Sequence, residues 1–167
     1  MIKWTFAYLL VLLGVVEISI LEQIREVFPQ VNSVEEADLW LNKLDTEEGV
    51  IVDAYKASLL FVKSKYVKFP LTKLKYFKRG KKQLDGLIKA NPNNIEIRYI
   101  RFLFQKEMPR FLGYHTSLDD DFKVIVSNIE DAKIEKDLKK RMLLNMLDSK
   151  NLSSDEIDEF NRLKKLL

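Results

Sequence analysis

Asn94, Arg98, Arg101 and Gln105 recur at spacings of four, three and four, which places them on one face of a helix. Each guanidinium offers a planar fork of donors that fits a carboxylate or a phosphate. Two arginines on a helix that is otherwise apolar are expensive to bury alone, so each must find an anionic partner. The sequence allows two kinds. One is an external protein or peptide, docked in a groove lined by Arg98, Arg101 and Gln105 with Tyr114 and His115 near the rim. The other is internal, the acidic N-terminal third of the chain or the run Asp119-Asp120-Asp121.

A second candidate is electrostatic. From Lys56 to Lys82 there are ten basic residues and no acidic one: Lys56, Lys63, Lys65, Lys68, Lys73, Lys75, Lys78, Arg79, Lys81 and Lys82. The block straddles two expected helices and the Phe69-Pro70 break between them, so its charges could converge on one end and dock to anionic lipid head groups or an acidic protein. The competing expectation is a solvated face, partly neutralised by the segment Glu17–Asp53, where ten acidic residues face only Arg25 and Lys43.

Catalytic chemistry finds little support. The chain has no cysteine, which excludes disulfides, thiolate catalysis and cysteine-ligated metals. No Gly-rich phosphate loop, histidine pair or serine-centred elbow is present, and His115 is the single histidine. Asp119-Asp120-Asp121 lacks the spaced ligands and central glycine of a calcium loop; it suits the first turn of a helix behind Thr116 and Ser117. A non-catalytic binding module, without metal or cofactor, is therefore expected.

The elements that must position these residues are helical. Five glycines and four prolines in 167 residues are too few for the turns of a sandwich or barrel. Ser33-x-x-Glu36 is a capping box opening a helix through Trp40 and Leu44, and Asp45-x-x-Glu48 promises the same for a helix running to about Tyr66. Leu71, Leu74, Phe77, Leu84, Leu87 and Ile88 mark a helix to Ala90, with Gly80 in its apolar stripe so that a neighbour can approach closely. The helix after Asn91-Pro92 carries two apolar stripes, Ile95/Tyr99/Phe102/Leu103 and Ile97/Ile100/Phe104, so it belongs in the middle of the body. Pro109 and Gly113 bracket a connector, and helices are expected near Ser117–Ile129, near Ala132–Asp148 and from Ser153, where Glu156 completes another box. Short connections make neighbours antiparallel. The expectation is an all-α antiparallel helix-hairpin stack of six to seven helices in residues 21–167.

Ahead of it lies Trp4–Val16, apolar but for Thr5 and preceded by Lys3, the layout of a secretory signal's first two regions. Glu17-Ile18-Ser19 supplies no small-x-small cleavage site, which keeps an uncleaved anchor and a buried core helix open beside a cleaved signal over residues 1–20. The signal and the anchor are the readings that imply export. Either route exports the body, to a periplasm or envelope, a setting that nucleic acid fits badly as a partner.

The stretch from Gly80 through Leu84, Leu87 and Ala90-Asn91-Pro92-Asn93-Asn94 to Tyr99 resembles a tetratricopeptide junction, but only at this one place. The runs Asn93–Arg101 and Pro109–Tyr114, with Asp119–Asp121, resemble an uncharacterised family of small exported helical proteins of flavobacteria and their relatives. The resemblance implies export and a shared helical fold, and brings no catalytic residues.

Overall fold

The computed structural model describes residues 18–166, which contain eight α-helices and no strand. They are α1 (Ile20–Val27), α2 (Val34–Leu44), α3 (Val50–Tyr66), α4 (Pro70–Ala90), α5 (Ile95–Glu107), α6 (Leu118–Asn128), α7 (Lys136–Leu147) and α8 (Ser154–Leu166). A 3-10 turn, Arg110–Leu112, sits between α5 and α6. The all-helical stack expected from the sequence is what forms, with one helix more than expected. Residues 1–17 of the signal-or-anchor segment lie outside the described residues; its last residues, Ser19 and Ile20, cap and open α1. Among those described, no helix is long and apolar enough to cross a membrane.

Local chemistry sets most boundaries. Ser33 Oγ accepts from Glu36 N at 3.0 Å, while the Glu36 carboxylate reaches back to Asn32 N at 3.1 Å. Ser153 and Glu156 close the reciprocal box on α8, at 3.2 and 2.7 Å. Asn94 Oδ1 accepts from Glu96 N and Ile97 N, so this residue is the cap of α5 rather than part of its polar stripe. The box expected at Asp45 and Glu48 does not form. Asp45 ends α2, and α3 starts after Gly49, whose φ of 133° is open to glycine but strained for other residues. Helix α7 begins at Lys136, later than expected, because Ala132 and Ile134 pack on the core from the preceding loop.

Helices α3 and α4 form the tightest hairpin. At Gly80 a Cβ would meet the Ala57 carbonyl oxygen at 3.1 Å and Leu60 Cβ at 3.3 Å, so the absent side chain is what lets α4 lie on α3. Helix α5 is central, as its two stripes require: eleven of its thirteen residues are buried. Its charged residues tie it to several neighbours. Glu96 binds Arg25 of α1 at 2.6 and 2.7 Å and accepts from Tyr55 of α3 at 3.0 Å. Lys106 reaches Glu156 of α8 at 2.8 Å and the Asn151 carbonyl at 3.0 Å. A buried ion such as these is tolerated only with its partner in place, so the pairs fix which helix packs where.

Candidate functional site

The polar face of α5 is closed by α6. Asp121, wholly buried in the first turn of α6, faces both arginines: Arg101 Nε at 2.7 Å, Arg101 Nη2 at 2.7 Å and Arg98 Nη1 at 2.8 Å. Arg98 also donates to exposed Asp120 at 2.6 Å and to the Pro92 carbonyl at 2.5 Å. From α4, Asp85 accepts from Arg101 Nη1 at 3.3 Å, from Tyr114 Oη at 3.2 Å and from Lys81 Nζ at 2.7 Å. Three cations thus meet three carboxylates. Burial pushes the Asp121 carboxyl above the usual carboxylate range, and the Arg101 and Arg98 guanidiniums pull it back. Burial likewise drags on Arg101, but the hydrogen bonds and charges of Asp121 and Asp85, with Tyr114, together hold it above its ordinary value. The two guanidiniums beside Asp121 favour its ionised form.

The groove expected along Arg98, Arg101 and Gln105 is therefore a buried polar layer. Its forks are spent on Asp121, Asp120 and Asp85, leaving no positive charge for an external carboxylate or phosphate. Gln105 is buried, and its Oε1 has no partner among the described residues. Tyr114 is buried too, its ring stacked on Phe61 at 5.6 Å and edge-on to Phe77 at 5.8 Å. Half-buried His115 binds the Met108 carbonyl at 2.9 Å, which pins the connector instead of facing a partner. Asp119 and Asp120 remain exposed in the first turn of α6.

The basic block divides in two. Lys63 is buried, bound to Asp38 at 2.5 Å under the Tyr76 ring. Burial pulls its pKa down, but Asp38 and Tyr76 together outweigh burial and leave it raised. Lys56 donates to the Glu47 carbonyl, Lys65 to Glu107 at 3.2 Å and Lys81 to Asp85, so these too are engaged internally. The other six behave differently. Lys73 touches only the Lys65 carbonyl, at 3.2 Å, and Lys68, Lys75, Lys78, Arg79 and Lys82 are exposed without an ion pair among the described residues. Lys75, Lys78, Arg79 and Lys82 recur at three and four along the outer face of α4.

The chain also exposes large apolar side chains, among them Leu71, which the sequence pattern placed in the apolar stripe of α4 but which stands clear of the core in the helix's first turn. Phe69 and Leu71, at the start of α4, are 76% and 83% exposed, and Phe111 of the 3-10 turn is 86% exposed. Pro70, Leu74 and Phe111 rim one cavity of about 620 Å³, which draws its walls from α3, α4, α5, the connector, the loop after α1 and the end of α7. Proline at the first helical position and the extended residue before it explain why Phe69 stands clear of the core. In a second recess of about 360 Å³ between Arg25, Asn94, Asp131 and Ile134, Arg25 and Glu96 are paired with each other and Asn94 caps α5. Among the described residues no three His, Asp or Glu side chains gather as a metal set.

Comparison of the chain with protein-family models, with curated proteins and with solved structures finds no match. The geometry is what the functional reading rests on.

Proposed function

We propose that the protein is a non-catalytic, exported helical module that docks on an anionic membrane surface with the α3–α4 end of its body. The observation that carries this is the exposed pair Phe69 and Leu71 at the start of α4, flanked in the chain by exposed Lys68 and Lys75, with exposed Lys78, Arg79 and Lys82 continuing the basic face along the helix. An interfacial site asks for both. Basic side chains sit among anionic head groups, and apolar ones enter the boundary with the acyl chains below. Five cations at about 1 kcal/mol each supply roughly 5 kcal/mol, more than three decades in affinity. Apolar residues add more, since fully burying a leucine or phenylalanine side chain is worth about 1.5–3 kcal/mol. Either signal alone gives marginal binding, and the two together give stable docking.

A peptide-binding role through Arg98 and Arg101 lacks a free donor face, because Asp121 and Asp85 occupy it. Co-sedimentation with vesicles tests the membrane reading. The full chain should pellet with phosphatidylcholine vesicles containing anionic lipid, and high salt should release much of it. A Lys75→Glu/Lys78→Glu/Lys82→Glu variant keeps the N-terminal segment unchanged and should lose most of the binding. Equal binding by that variant, or equal binding to purely neutral vesicles, would sink the proposal.

A further inference from the structure

We propose that the cavity behind this tip holds one long-chain fatty acid, its acyl chain among the aromatic rings and its carboxylate at Lys73. The inference rests on the membrane reading for the source of the ligand, but binding itself needs no membrane. A cavity of about 620 Å³ is in the range of small-molecule sites. At a liquid volume of roughly 30 Å³ per water it has room for about twenty waters. A methylene displaces nearly as much volume as a water, so one acyl chain fills the space and two do not fit.

The walls are already in place. Phe61 stacks on Phe104 at 4.7 Å and meets Phe77 at 5.9 Å, while Phe28 lies against Phe104 at 6.1 Å. Phe28, Phe61 and Phe77 are buried in the cavity's floor, and Phe104, Leu74 and Phe111 present the more open apolar surface above it, so binding does not have to order the floor first. Charge selects the head group. Lys65, Lys73, Glu107 and Asp148 are the charged residues at the lining, and Lys65 is taken by Glu107. Among the described residues Lys73 meets only a carbonyl oxygen, which leaves its charge for an anion on its side of the cavity. Asp148 is likewise without an ion pair among them and turns a carboxylate away from its own side. A docked peptide helix suits the space less well. Two turns about 10 Å across and 11 Å long occupy roughly 850 Å³, more than the cavity offers.

Equilibrium dialysis of the full chain against labelled palmitate at submicellar concentration, without vesicles, tests the assignment. One saturable equivalent is expected. Leu74→Trp, which places an indole in the cavity from a partly exposed position, should weaken palmitate by about tenfold or more. Lys73→Glu changes only an exposed side chain and should weaken palmitate about tenfold while leaving hexadecanol unaffected. Unsaturable uptake, or palmitate affinity unchanged in Lys73→Glu, overturns the proposal. So does a wild-type dimer that Leu74→Trp makes monomeric, since a second copy then fills the cavity. Palmitate binding without vesicle binding would support this site and remove the surface reading; vesicle binding without palmitate binding would do the reverse.

Discussion

Replacing Asp121 by alanine takes away the carboxylate that three guanidinium nitrogens face at 2.7–2.8 Å. Arg98 keeps Asp120 and the Pro92 carbonyl, and Arg101 keeps only Asp85 at 3.3 Å. Breaking a buried pair by removing one partner costs about 3–5 kcal/mol, because the remaining charge stays out of water. Against a total stability of about 5–15 kcal/mol this is a large share. With a urea slope of about 2 kcal/mol per molar, the midpoint should fall by roughly 2 M. Asp120→Ala is the control. Its side chain is 66% exposed, and exposed pairs contribute about 0–1 kcal/mol. Equilibrium urea unfolding followed by circular dichroism measures both. A midpoint for Asp121→Ala no lower than that of Asp120→Ala would refute the view that this layer holds α6 on α5, and would return the arginines to candidacy as a binding surface.

Two glycines of α4 should respond oppositely to alanine. At Gly86 a Cβ meets nothing within 4 Å, so Gly86→Ala should stabilise by up to about 1 kcal/mol through helix propensity. At Gly80 the same gain is offset by overpacking of about 1–3 kcal/mol against a backbone oxygen and a Cβ, neither a flexible chain end, so thermal denaturation should show a net loss. Equal shifts at the two positions would refute the close approach of α3 and α4. Alkaline pH should also destabilise the fold, because burial raises Tyr55, Tyr99 and Tyr114 above the ordinary tyrosine value. Their contribution is whole below the unfolded value near pH 10 and is lost as pH rises through the folded values. Each steepens the fall by about 1.4 kcal/mol per pH unit within that window. Phe in place of Tyr99 should flatten the slope of urea stability against pH by about a third; an unchanged slope would contradict its burial.

The sequence was most legible where one local rule decided the outcome. Two apolar stripes identified α5 as central, and Ser33/Glu36 and Ser153/Glu156 marked real helix starts. Helix α1 carried the same signal: Ser19 Oγ accepts from Glu22 N at 3.2 Å, a Ser-x-x-Glu start hidden by setting residues 1–20 aside as a leader. The Asp45/Glu48 signal was equally good locally but lost to Gly49, which turns the chain one step later. Pairing of Arg98 and Arg101 was open between an external and an internal acid, because spacing reveals the need for a partner and not its address. Charge counting could not separate Lys63, buried on Asp38, from Lys78 and Lys82 on the open face of α4. The cavity was beyond reach for a related reason: its walls come from six separate segments, and no single period in the chain records them.

Absence of cysteine makes single-site labelling the most direct test of the membrane-docking proposal. A polarity-sensitive fluorophore at Leu71→Cys reports on the tip, and one at Asn93→Cys on the far end of α4, about 30 Å away along a 21-residue helix. On mixing the full chain with anionic vesicles, the Leu71 label should shift to the blue and the Asn93 label should not. A shift at Asn93 alone, or at neither position while the protein pellets with the vesicles, would contradict docking through the α3–α4 end.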